Sequence, residues 1–148
     1  MARIKIELPA SFHFSVSIAV RITDINYGGH VGNDSILSLI HEARMMFLHG
    51  MGYSETELEG AGLIMADVGI EFKSELFYGD QVIVSVVCSD FSKAGFDMYY
   101  KLEKDTPDGR KPVALAKTGM VCFDYAKKKI SMLPQQARQK LESQYVDR

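Results

Sequence analysis

Hydrophobic and polar residues alternate cleanly near the start of the chain. Phe12, Phe14, Val16, Ile18, Val20 and Ile22 are interleaved with Ser11, His13, Ser15, Ser17, Ala19 and Arg21. A repeat of two over this span predicts a long strand with one buried face. The repeat breaks in Thr23-Asp24-Ile25-Asn26-Tyr27-Gly28-Gly29-His30-Val31-Gly32-Asn33-Asp34-Ser35. Glycines among polar side chains predict a loop with special backbone needs, and Asn33-Asp34-Ser35 can supply a helix N-cap. From about 35 to 49, Ile36, Leu39, Ile40, Ala43 and Phe47 mark one helical face. Leu37 and Leu48 widen that face, so the helix is expected to be mostly buried.

Gly50-Met51-Gly52 ends the helix, and Ser54 with Glu57 can open a short capped turn. Alternation then resumes. Ile64, Ala66, Val68, Ile70 and Phe72 predict a strand stopped by Tyr78-Gly79-Asp80, and 81–90 predicts the next. Lys93-Ala94-Gly95 turns into a strand over 96–104, and Thr106-Pro107-Asp108-Gly109 leads into a last one over 113–125. Pro134 opens a short helix carrying Ala137 and Leu141. The order is strand, buried helix, then four antiparallel strands, which is an α+β arrangement expected to form a single domain over 1–148. The uncovered face and edges of such a sheet ask for a partner chain.

Composition narrows the function classes. The 148 residues are 47% hydrophobic and 24% charged, with 17 basic and 19 acidic side chains and a formal net charge of −2. One core is expected to form without staples, and the charge balance argues against nucleic acid as the main partner. No apolar run reaches the roughly 18–20 residues of a membrane span, and the charged, alternating start does not read as a secretory signal. Cys88 and Cys122 have no metal-ligand spacing and read as small core residues, with a reducing cytoplasm the expected compartment.

The segment Asp24-Ile25-Asn26-Tyr27-Gly28-Gly29-His30-Val31-Gly32-Asn33, followed by His41-Glu42-Ala43-Arg44, resembles a known signature. It is that of hotdog-fold acyl-CoA thioesterases, in the group related to 4-hydroxybenzoyl-CoA thioesterase. The pattern there is roughly D-x-D-x-x-G-H-V-N-N, then E-x-A-R. The resemblance implies an antiparallel sheet of about five strands wrapped around one long central helix. It also implies hydrolysis of an acyl-CoA to a free acid and CoA, without a cofactor. A homodimer with sheets joined edge to edge is expected, a tetramer being the open alternative, with active sites between subunits at the helix N-terminus. Three positions depart from the pattern: Asn26 stands where the family's usual catalytic Asp is found, Gly32 replaces the first Asn, and His41, with Glu42 beside it, replaces the helix acid.

The expected chemistry follows from the residues present. Unpaired N–H groups near Asn33 form an oxyanion hole, Asp24 or His30 activates water, and Asn26 orients it. Gly29, Val31, Gly32, His41 and Glu42 are the candidate substrate-binding positions. Each has a plainer reading. Asp24 and Asn26 can serve loop backbone groups, Asn33 and Asp34 can cap the helix, His41 can be packed, and Glu42 can face solvent. Met45, Met46, Met51 and Met65 read as core filler before they read as an acyl channel. Lys127-Lys128-Lys129 read as a solvated hairpin end before a contact to CoA phosphates, and Lys73 and Lys93 stand equally open. The four histidines form no metal set. Two other functions remain: a hotdog enoyl-CoA hydratase, whose D-x-N-x-x-H motif is one residue shorter than the Asp24 to His30 spacing, and a non-catalytic acyl-thioester binder.

Overall fold

The computed structural model describes residues 2–145. Its sheet is antiparallel throughout, with β1 (Phe14–Ala19), β2 (Gly62–Phe72), β3 (Gln81–Ser89), β4 (Gly95–Thr106) and β5 (Gly109–Asp124) in the order β1-β3-β4-β5-β2. A two-residue strand β6 (Lys129–Ile130) pairs with β5. Helix α1 (Asn33–Gly50) buries Ile36, Leu39, Ile40, Ala43, Arg44, Phe47 and Leu48. These meet Val82, Val84 and Val86 of β3, Met98, Tyr100 and Leu102 of β4, and Ala114 and Ala116 of β5 in one core. Every other residue of those strands points at the helix, as the period of two requires. Helix α2 (Gln135–Glu142) follows Pro134 and adds Ala137 and Leu141 to the core.

Three local expectations are corrected. The first strand ends at Ala19. Its burial alternates through Val20, but Ile22 is 67% exposed in a 3-10 turn over Ile22–Asp24. The turn forms because Asp24 N–H reaches back to Arg21 O at 2.9 Å while Asp24 Oδ2 accepts from Arg21 N–H at 2.9 Å. Asp24 is therefore buried by a turn and not by continuation of the strand. Second, α1 begins at Asn33, and its N-cap is Gly32, with no side-chain cap. Third, the row Ile64, Ala66, Val68, Ile70 and Phe72 is half-buried or exposed. Its strand β2 lies at a sheet edge, and its register against β5 shifts between Met65 and Asp67. Asp67 Oδ1 repairs the ladder there by accepting from Gly119 N–H at 2.8 Å.

Other expectations hold. Ser54 Oγ accepts from Glu57 N–H at 3.1 Å in the capped turn, both cysteines are buried, and Lys127 to Lys129 are exposed at the β5–β6 end. The methionines are not plain core filler: Met46 and Met65 are exposed, and Met45 and Met51 are half-buried.

Candidate active site

The loop before α1 is closed by its own backbone. Ile25 bridges Val31, Asn26 N–H donates to His30 O at 3.0 Å, and Gly29 N–H donates to Asn26 O at 3.1 Å. Val31 is buried, and its N–H ties the loop to Leu76 O at 2.9 Å. Gly29 sits at the exposed tip with φ +88°. Asn26 Oδ1 accepts from Gly28 N–H at 2.9 Å, an Asx turn that assigns the two ends of the amide. With the oxygen committed to Gly28, Nδ2 is turned towards the helix start, 3.6 Å from where a Cβ on Gly32 would stand.

Gly32 O receives the N–H groups of Ser35 and Ile36 at 3.0 and 3.1 Å, so α1 starts on a backbone cap. The N–H groups of Asn33 and Asp34, in the first turn, have no acceptor within the helix and carry the positive end of its dipole. A side chain at Gly32 would meet Asp34 Oδ1 at 2.7 Å.

Beside this helix end is a cavity of about 270 Å³ lined by His30, Asn33, Ile36, Phe72, Lys73 and Glu75, among others. His30 Nε2 lies 3.2 Å from Glu75 Oε2, and its Nδ1 lies 3.2 Å from Val31 O. The ring is thereby oriented by a backbone carbonyl on one side and a carboxylate on the other. Asp24 does not line this cavity; its carboxylate also meets Arg21 Nη2 at 3.3 Å, and its carbonyl accepts from Gly32 N–H at 3.3 Å.

A second polar cluster sits further along α1. Arg44, only 5% exposed, donates from Nε to Glu55 Oε2 at 2.7 Å and from Nη1 to Tyr100 OH at 3.2 Å. Tyr100 OH in turn meets Thr118 Oγ1 at 2.7 Å, and His41 Nε2 approaches Glu55 Oε1 at 3.1 Å. Burial pushes the Glu55 carboxyl upward, but the hydrogen bond and charge of Arg44, then those of His41, outweigh it and hold its pKa below the ordinary value. His41, Arg44 and Glu55 line a cavity of about 470 Å³ with Leu37, Met65 and Tyr125.

Asn26, His30, Gly32 and Asn33 are thus brought together at one helix end. His41 stands roughly 12 Å further along α1, counting about 1.5 Å per residue. It is 55% exposed rather than packed, with Glu42 also exposed beside it. Glu55 was missed by sequence reasoning. It lies inside the turn between Ser54 and Glu57, where no periodicity marks it, and only the burial of Arg44 asks for such a partner.

Comparison with known proteins gives the family and the fold. A family model described as the thioesterase-like superfamily matches residues 20–141. The chain belongs to that superfamily. Thioester hydrolysis is the activity the family carries. No curated protein matches the sequence.

Among solved structures, a thioesterase-superfamily protein from Jannaschia sp. CCS1 is similar at TM-score 0.79 and 18% identity, over 92% of this chain and 85% of that one. The 1,4-dihydroxy-2-naphthoyl-CoA thioesterase of Synechocystis is similar at TM-score 0.75 and 22% identity, over 90% and 96% of the two chains. An Asp-to-Asn mutant of 4-hydroxybenzoyl-CoA thioesterase, complexed with 4-hydroxybenzoyl-CoA, is similar at TM-score 0.78 and 16% identity, over 86% and 97%. At these identities the likeness establishes the fold, which is the hotdog fold.

Proposed function

We propose that this chain hydrolyses acyl-CoA thioesters, releasing a carboxylate and free CoA at the N-terminus of α1. One observation carries the reading: a helix starting on a glycine backbone cap lies against a cavity that also holds an oriented His30. The thioester carbonyl accepts hydrogen bonds from the N–H groups of Asn33 and Asp34, with Asn26 Nδ2 as a third donor. Water attacks the carbonyl carbon while His30 takes its proton at Nε2, Nδ1–H being held on Val31 O, and the Glu75 carboxylate pairs with the imidazolium so formed. The tetrahedral intermediate then collapses, the C–S bond breaks, and His30 returns the proton to the leaving thiolate. Asp24 holds the turn that carries this loop. Asn26 cannot itself act as base, and its geometry favours binding the oxyanion over orienting the water. The 4-hydroxybenzoyl-CoA, naphthoyl-CoA and gentisyl-CoA thioesterases among the structural neighbours put aromatic acyl groups first on the substrate list. The half-exposed edge strand β2 supports a homodimer joined along it, and the buried Cys88 and Cys122 thiols suit a reducing cytoplasm.

The test is thiol release from a panel of short, medium, long and aromatic acyl-CoAs. Turnover on at least one member is expected, with kcat lowered about 10²-fold or more in His30→Ala. Asn26→Asp should lower kcat by about 10²-fold, because it exchanges an oxyanion donor for a negative charge. A rise in kcat would instead identify position 26 as a vacated base. Failure to cleave any member by folded protein would refute hydrolysis, and hydration of an enoyl-CoA without thiol release would move the chain to the hydratases.

A further inference from the structure

We propose that the β5–β6 hairpin end is a docking surface for an anionic lipid bilayer, whose headgroups its lysines meet and whose apolar layer Ile130 and Met132 enter. The inference is independent of hydrolysis, since none of these residues lines the cavity at the start of α1. Topology makes the hairpin overhang the sheet. Strand β4 begins opposite Val121 and β2 opposite Phe123, so β5 outruns both neighbours. Its last pairs are with β6, Phe123 with Ile130 and Asp124 with Lys129. Phe123 thus has Gly62 on one side and Ile130 on the other, which puts β6 on the side of β5 away from β2. The overhang is well held. Asp124 Oδ1 accepts from the N–H groups of Ala126 and Lys127 at 3.0 Å each, and Lys128 turns the chain with φ +54°. Ser131 N–H reaches Cys122 O at 2.9 Å and Leu133 N–H reaches Lys93 O at 2.7 Å, tying the returning chain to the turn before β4.

The surface so presented is both cationic and apolar. Residues 125–130 are all exposed and include Lys127, Lys128 and Lys129, with Lys93 exposed on the adjoining turn. From 124 to 133 the one carboxylate is Asp124, already engaged in closing the turn. Among the described residues no carboxylate forms an ion pair with the three hairpin ammonium groups. This positive excess stands on a chain whose net charge is −2, so it is the hairpin end and not the whole molecule that an anionic surface attracts. Ile130 and Met132 are 60% and 71% exposed, while the Ser131 hydroxyl between them is buried. Alternation thus sets two large apolar side chains on one face beside the lysines. A protruding turn fits a broad planar surface better than it fits a small ligand. The pairing of ammonium groups with apolar side chains matches the layering of a bilayer, in which anionic headgroups lie outside the acyl chains. The leaflet that carries anionic lipids is the cytoplasmic one, which agrees with a reducing compartment.

The test is co-sedimentation of the full chain with vesicles of phosphatidylcholine alone and of phosphatidylcholine mixed with phosphatidylserine. Wild type should bind the mixed vesicles, less so as salt is added, and leave the neutral ones. A lysine near an anionic surface contributes about fivefold to partitioning, so Lys127→Gln/Lys128→Gln/Lys129→Gln should bind about 10²-fold more weakly. Ile130→Ser/Met132→Ser should lose about tenfold with the charge unchanged. The lysine variant alters exposed side chains only and should melt with wild type, so it decides the matter even if the apolar variant is less stable. Equal partitioning of wild type and the lysine variant, or no binding of wild type to the mixed vesicles, overturns the proposal. So does unchanged binding by Ile130→Ser/Met132→Ser together with equal affinity for soluble polyglutamate, which would assign the lysines to an acidic macromolecule instead.

Discussion

Removing the Glu55 carboxylate should expose how much of the fold hangs on one ion pair. Arg44 is 5% exposed and Glu55 24%, and they meet at 2.7 Å. Taking one partner from a buried pair leaves a charge without compensation, at a cost of about 3–5 kcal/mol. Water reaches Glu55 from one side and will partly solvate Arg44 through the vacated space. For Glu55→Ala the expected loss is accordingly about 2–3 kcal/mol, or roughly 5–10 °C in Tm for a domain of this size. The chain contains no tryptophan, so urea unfolding should be followed by far-UV circular dichroism, at fixed protein concentration because a dimer adds a mass-action term.

Glu55→Gln, which keeps an acceptor for Arg44 without the charge, should lose less. The double variant Arg44→Met/Glu55→Leu should return to within about 1 kcal/mol of wild type, since no charge is then stranded. The carboxyl of Glu55 is held below its ordinary value in the folded state, so the unfolded state binds the extra proton first. Its contribution is therefore present above the unfolded pKa of roughly 4.3 and disappears as pH falls through the lower folded value. The stability gap between wild type and Glu55→Ala should close correspondingly in acid. A loss under 0.5 kcal/mol for Glu55→Ala at pH 7, on the scale set for exposed pairs, would show the pair to be solvated and the reasoning wrong.

Three further outcomes are expected. Gly95→Ala places a Cβ 1.9 Å from Met120 O where β4 meets β5, so backbone must shift, and thermal melting should show a loss of about 2–4 kcal/mol. Asp67→Ala deprives Gly119 N–H of its acceptor and leaves Lys117 to Asp97 at 3.6 Å; Asp67 is exposed, so a loss of only about 0.5–1 kcal/mol is expected in urea titration. Burial pushes the Cys122 thiol up to about 11 and raises Cys88 as well, so neither should react with a disulfide reagent at neutral pH until the protein is denatured. Rapid labelling of the native protein would contradict that burial and would also contaminate any thiol-release assay.

The elements that sequence periodicity revealed are those whose faces differ in wetness. Strands β3, β4 and β5 and helix α1 pack against one another, and their inward residues repeat at 2.0 or 3.6. Periodicity misled where neighbours decide burial. Ile22 continues the pattern of β1 but leaves the core, because the turn closed by Asp24 and Arg21 redirects the chain. The apolar row of β2 alternates as a buried face does, yet the chain leaves it half uncovered. The loop motif puts Asn26, His30, Gly32 and Asn33 at one helix end because they are close in sequence. Glu55 and Glu75 stayed hidden: each partners a histidine from a distant segment, and no local pattern records a contact made only on folding.

The donors at the start of α1 belong to the main chain, and no substitution short of proline can delete them. That gives the helix end an unusual tolerance for side-chain turnover. A carboxylate can become Asn26, an amide can become Gly32, and a helix acid can become His41, while the main-chain N–H groups remain in place. The proton-handling half of the chemistry has no such protection, because it is spelled entirely in side chains. A family label read from a loop of this kind therefore transfers the electrophile-activating half of a mechanism directly. The base has to be located afresh in each chain that bears the label.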